Sequence, residues 1–201
     1  MIDIYKKGMD VLEVAVGQIQ RIIAKDVRPY VADGDWIFSD LGTAEYCFEE
    51  EYEGESFTFY AYAAEWCKDH GIDLVCDIGC CCGYQGEFFK QAGVRYVGID
   101  TPSTRGYMYQ NAWNQYRIER YPFRIENHEN YAAVSNLCIG YFGDTNAMIR
   151  QLKHDFDTII FGSCAHISGA FAREYDLEVL EVPYVFTEAS RKMKIHILTR
   201  R

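Results

Sequence analysis

The first segment sets Ile4, Val11, Leu12, Val14, Ala15, Ile19, Ile22 and Ile23 at helical spacing, which predicts one amphipathic helix over residues 3–27, ended by Pro29. Asp33-Gly34-Asp35 marks a turn and Trp36-Ile37-Phe38 is a short apolar patch. Residues 49–55 are acidic and broken by Gly54, so a solvated loop is expected there. Ser56 then caps a predicted helix that carries Tyr60, Tyr62, Ala64 and Trp66 to Asp69, where Gly71 stops it.

Beyond Gly71 the pattern changes to strand, loop, helix. Short buried strands are predicted at 74–78, 96–100 and 115–119, with a fourth apolar run over 131–138 and a fifth strand over 157–162. Helices are predicted over 84–91, 104–114, 144–154 and 168–175, and residues 178–185 and 194–199 read as a closing antiparallel pair. Placing the third strand at 123–127 instead leaves too few residues for a parallel crossover into the fourth. Strands alternating with helices give an α/β fold: a Rossmann-like, largely parallel sheet with helices on both faces, an antiparallel C-terminal hairpin and a helical N-terminal extension. The division expected is 1–70 for the extension, a candidate substrate lid, and 71–201 for the α/β domain.

Composition narrows the function. The 201 residues are 49% hydrophobic and 25% charged, an ordinary globular balance, and 15% aromatic, with 16 Tyr. The net charge of −10 lacks the basic footprint that phosphate backbones or anionic membranes require, so neither nucleic acid nor membrane is expected as a partner. No apolar run of spanning length and no secretory leader is read from the sequence, so the eight cysteines are expected as reduced thiols in a cytoplasmic protein. Cys80-Cys81-Cys82 cannot easily set three adjacent sulfurs around one tetrahedral ion, and no metal site is expected. Cys164 and His166, two residues apart in a loop, need not touch and are not taken as a nucleophilic pair.

The chemistry concentrates in Asp77-Ile78-Gly79-Cys80-Cys81-Cys82-Gly83-Tyr84, which leaves a predicted strand and opens a predicted helix. Glycine at such a turn admits backbone angles closed to other residues and lets the main chain approach a ligand. A helix start beyond it presents free N–H groups. Asp100 ends the next strand, where a carboxylate can accept two hydrogen bonds from a ribose diol. Asp77 ends the first strand, where it would repel a pyrophosphate and attract a cationic amino group.

This loop resembles the D-x-G-x-G-x-G loop of class I S-adenosylmethionine-dependent methyltransferases, and Val97-Gly98-Ile99-Asp100 is similar to their ribose-binding strand end. Ala133-Val134-Ser135-Asn136, the stretch from Met148 to Ile160 and the C-terminal pair resemble their later elements. The resemblance covers about residue 71 to the end. It implies S-adenosylmethionine as cofactor and methyl transfer to a small or medium-sized acceptor. It implies that Asp77 and the backbone of Gly79, Cys80, Cys81 and Gly83 hold the methionine part, that Asp100 and Thr101 take the ribose, that Glu119 faces the adenine edge, and that Asn136 lies beside the sulfonium. Trp36, Phe38 and Tyr141 are candidate acceptor-pocket residues, and the N-terminal helices would supply that pocket or a homodimer surface. No catalytic base is evident. Cys81 stands where the family carries its middle glycine. That departure and the missing base favour one rival, a non-catalytic ligand-binding or regulatory protein on the same scaffold. The other rival, a nicotinamide-dependent oxidoreductase, must accept a poor glycine pattern at Gly79, Gly83 and Gly86 and an acid beside its pyrophosphate.

Overall fold

The computed structural model describes residues 6–7, 10, 50–80, 85–100, 117–120, 130–136, 144–162, 165–184 and 192–201. In chain order these give helix α1 (Glu50–Asp69), strand β1 (Leu74–Ile78), helix α2 (Gly86–Ala92), strands β2 (Arg95–Asp100), β3 (Arg117–Arg120) and β4 (Tyr131–Ser135), helix α3 (Thr145–Asp155), strand β5 (Thr158–Phe161), a 3-10 turn (Ala165–Phe171) and strands β6 (Tyr175–Pro183) and β7 (Lys192–Arg200). The seven strands form one sheet in the order β3-β2-β1-β4-β5-β7-β6. β1 pairs in parallel with both β2 and β4, and only β7 runs against its neighbours, opposing β5 and β6.

Period-two alternation sends successive residues of each strand into two different cores. One face carries Val75, Tyr96, Val134, Ile160, Ile195 and Ile197 beneath Phe57, Ala61 and Ala64 of α1 and Phe88 and Phe89 of α2. The other carries Cys76, Ile78, Ile99, Ala133, Ile159 and Phe161 beneath Met148 and Leu152 of α3 and Phe171 of the 3-10 turn. Phe57, Phe59, Ala61 and Ala64 of α1 thus pack into the core on one face of the sheet. Lys6, Lys7 and Asp10 are helical, as the N-terminal periodicity predicts, and Lys7 pairs with Glu65 of α1. No helix among the described residues is long and apolar enough to cross a membrane.

Two expectations are corrected. Residues 50–55 are helical, not a loop. Acidic residues complement the positive end of a helix, and one Gly weakens a helix by only about 1 kcal/mol relative to Ala. The helix expected over 168–175 is instead the 3-10 turn, and Tyr175 already opens β6. The buried Tyr175 ring packs on Phe171 and its hydroxyl donates to the Phe156 carbonyl at 2.6 Å, which fixes the strand start. Boundaries also shift: β4 ends at Ser135 and β3 lies at 117–120. The regions predicted as helix over 11–27 and 104–114, and the rejected strand at 123–127, lie outside the described residues.

Arg200 clasps the last strand to α3. Its guanidinium donates to Asp157 and to the carbonyls of Lys153 and Phe156, the latter at 3.1 Å, and lies 4.9 Å from the Tyr175 ring centroid. These carbonyls close the C-terminal end of α3, where a cation is favourable. Arg200→Ala is expected to cost about 1–2 kcal/mol, the loss of charge-assisted bonds at a partly exposed site, read as a lower urea midpoint at unchanged m-value.

Candidate functional site

The strand order reverses between β1 and β4: the chain leaves β1 toward β2 on one side, and leaves β4 toward β5 on the other. Connections that diverge in this way leave a crevice beyond the C-terminal ends of the strands, where α/β proteins bind ligands. Gly79 turns out of β1 with φ +80°, a left-handed angle that a side chain would strain. The amides of Gly79 and Cys80 both donate to the Ile99 carbonyl, at 2.7 and 3.2 Å. The turn is therefore laid against the end of β2, immediately before Asp100. Ser135 Oγ donates to the Ile78 carbonyl at 2.9 Å and ties the end of β4 to the same place.

Asp77 lies one layer below. It shares the face of Val75, so the strand aims it under α1 and α2, and it is 0% exposed. Tyr96 donates to Oδ2 at 2.7 Å, Tyr60 to Oδ1 at 3.3 Å, and Gln85 Nε2 also donates to Oδ2. Gln85 Nε2 reaches the Cys80 carbonyl at 2.8 Å as well. One carboxylate thereby joins α1, β2 and the start of α2, and through Gln85 it is linked to the Cys80 carbonyl. Burial, then the Asp77 charge, push the Tyr96 phenol well above its ordinary pKa, so that it remains a protonated donor. Gln85 Oε1 is buried and has no hydrogen-bond partner among the described residues.

Cys80 is wholly engaged: its amide is on Ile99, its carbonyl on Gln85, and its side chain is 1% exposed. Burial also raises the thiol pKa of Cys67, to about 12, and of Cys76, where the Asp77 and Asp155 charges add to it. These two are unreactive core thiols.

Asn136 follows β4 and is 4% exposed, with Nδ2 donating to Ser56 Oγ of α1 at 3.2 Å. Gly162, at the end of β5, leaves it room: a Cβ there would lie 2.1 Å from Asn136 Oδ1 and 2.8 Å from Phe59 Cδ2. Gly162→Ala is therefore expected to destabilise the fold by about 1–3 kcal/mol through overpacking, visible as a lower thermal midpoint.

Of the residues singled out in the sequence, Gly79 and Cys80 follow β1 and Asn136 follows β4 at the same end of the sheet, while Asp77 lies beneath them, facing α1 and α2. Asp100 closes β2 and Glu119 lies on β3, where Ile99 pairs with Glu119 and Asp100 with Arg120. Cys81, Gly83, Thr101, Trp36, Phe38, Tyr141 and Cys164 lie outside the described residues. Tyr60, Tyr96, Gln85, Ser56 and Gly162 were not foreseen. The one signal for them is strand alternation, which sets Asp77 on the face of Val75 and so in need of buried donors.

No family model and no curated protein matches the sequence. Solved structures do. The chain is similar to magnesium protoporphyrin IX methyltransferase (ChlM) from Synechocystis PCC 6803 with bound SAM, at a TM-score of 0.55 and 15% identity over 100% of this chain and 98% of that one. It is similar to the glycopeptide N-methyltransferase MtfA complexed with sinefungin, at 0.54 and 8% identity over 72% of this chain and 87% of that one. It is also similar to the O-methyltransferase TomG from Streptomyces achromogenes, involved in tomaymycin synthesis and in complex with SAM, at 0.50 and 7% identity over 70% and 78%. At such identities the likeness is one of fold. The fold is that of the class I S-adenosylmethionine-dependent methyltransferases, with the sheet expected from the sequence.

Proposed function

We propose that this protein binds S-adenosylmethionine at the β1–β4 crevice and transfers its methyl group to a small or medium-sized acceptor. The observation that carries the reading is the left-handed turn at Gly79, bonded to Ile99 and so laid beside Asp100 at the point where the strand order reverses. The solved neighbours support the choice of ligand, since ChlM and TomG hold SAM and MtfA holds sinefungin.

The residues present fit such a ligand. Asp100 and Thr101 take the ribose hydroxyls, Glu119 the adenine edge, and the loop through Cys81 and Gly83 the methionine part. Gly79 lets the backbone come close, and Asp77 supplies negative charge from below. Asn136 borders the acceptor side, with Trp36, Phe38 and Tyr141 as further lining residues. The sulfonium brings an already activated methyl group, so the chain's task is alignment and exclusion of water. N- and O-methyltransferases are both among the neighbours, so the fold leaves the acceptor atom open.

Turnover tests the reading. Methyl-labelled S-adenosylmethionine offered with a panel of amine, hydroxyl and carboxylate acceptors should pass label to at least one class. Binding of the cofactor with no transfer to any acceptor would favour the regulatory alternative, to which Cys81 in the glycine loop already lends weight.

A further inference from the structure

The 3-10 turn is held to the sheet at two points. Phe171 lies in the core against Phe161 of β5, with ring centroids 5.7 Å apart. Ser168, 4% exposed, meets half-buried His196 of β7, its Oγ 2.9 Å from Nδ1. The first contact is apolar and indifferent to pH. The second is not, because histidine is the side chain that changes charge near neutrality. In the neutral ring Nδ1 accepts from the Ser168 hydroxyl and Nε2 carries the hydrogen. In the charged ring Nδ1 is itself a donor, and the contact must reverse.

The surroundings of His196 favour the neutral ring. Across the sheet it pairs with Phe161 on β5 and Val179 on β6, both apolar. Lys194 stands two positions away on the same face of β7, and Glu181, opposite it on β6, pairs with that lysine at 3.6 Å. On the turn, His166 is the titratable side chain, and it is exposed. Burial first, then the Lys194 charge, lower the His196 pKa below its ordinary 6.5.

We propose that Ser168 and His196 form a proton-sensitive latch that holds the 3-10 turn on β7 and releases it in acid. The device is independent of the function proposed above. Opening the turn uncovers His196 and returns its pKa toward the ordinary value, so proton uptake favours the open form. Because the folded pKa is the lower one, the latch is at full strength above pH 6.5 and is lost as the pH falls through the folded value. The turn leaves the end of β5 just after Gly162, which adjoins Asn136, so acid loosens chain that borders the crevice.

The test is hydrogen exchange of the turn amides from about pH 8 to 5, the range of histidine titration, with rates corrected for intrinsic pH dependence and referred to β1. In the unaltered protein, residues 168–171 should lose protection relative to β1 as the pH falls, in step with a His196 titration, read by NMR, whose midpoint lies below 6.5. His196→Gln offers Ser168 a side-chain oxygen that does not titrate, so protection of the turn should stay constant across the range. Ser168→Ala removes the latch and leaves Phe171 in place. Its turn should be less protected already at the upper end and should change little in acid. Turn protection that follows β1 at every pH in the unaltered protein, or a loss in acid that persists in His196→Gln, would overturn the proposal. So would a turn as well protected in Ser168→Ala as in the unaltered chain.

Discussion

Asp77→Ala should lower the free energy of unfolding by about 3–5 kcal/mol, among the largest effects expected of a single change in this chain. The carboxylate receives hydrogen bonds from Tyr96, Tyr60 and Gln85 at a site with no exposure. Removing it strands those three donors in the core, at about 1–3 kcal/mol each before entering water recovers part of the loss. Most small domains have only about 5–15 kcal/mol in total, so the variant would stand near its unfolding threshold at physiological temperature. Asp77→Asn should cost less, about 1–2 kcal/mol, because the amide keeps the shape and one acceptor. Urea melts of the two variants against Tyr96→Phe decide the matter. If Asp77→Ala costs under about 1 kcal/mol, the network does not hold α1 and β2 to β1.

The second large effect falls on binding. Asp100→Ala should weaken S-adenosylhomocysteine by roughly 10- to 100-fold, the worth of about 1.5–3 kcal/mol in hydrogen bonds to a charged acceptor. The melting temperature of the free protein should hardly move, because Asp100 is the last residue of β2 and the ladder there runs through main-chain pairs. That contrast separates the two acids. Asp77 is proposed to act on the fold first and on affinity through it, and Asp100 on affinity alone. Equal affinity in the Asp100 variant would remove the ribose assignment.

The two acids also mark what could be seen in the sequence. Residues 74–78 and 95–100 are short runs of apolar and β-favouring residues, Gly79 needs its left-handed angle, and the acid at each strand end is plain to see. These patterns depend on neighbours along the chain, so one sequence suffices. The use made of Asp77 is different. Its partners Tyr60, Gln85 and Tyr96 lie 17, 8 and 19 positions away, and no local rule pairs them. Strand alternation alone would have set Asp77 beside Val75 and away from the crevice, and that inference was within reach. The abundant tyrosines serve the interior in several places: Tyr60 and Tyr96 donate to Asp77, while Tyr131 and Tyr175 donate to the carbonyls of Asp155 and Phe156.

The misplaced elements have equally physical causes. The acidic run before Ser56 resembles a solvated loop in composition, yet acids are welcome at a helix start, and the buried face formed by Phe57, Tyr60, Ala61 and Ala64 stabilises α1. Residues 168–175 have helical spacing, but the packing of Phe171 and Tyr175 on the sheet takes precedence. Local preference sets the expectation, and burial against a partner distant in sequence changes it.

The claim that the crevice at Gly79 and Asp100 receives S-adenosylmethionine is tested most directly by titrating the unaltered protein with S-adenosylhomocysteine and, separately, with a nicotinamide dinucleotide. The account predicts saturable one-to-one binding of S-adenosylhomocysteine that S-adenosylmethionine displaces, together with no heat from the dinucleotide. Tight binding of the dinucleotide with no response to S-adenosylhomocysteine would contradict it.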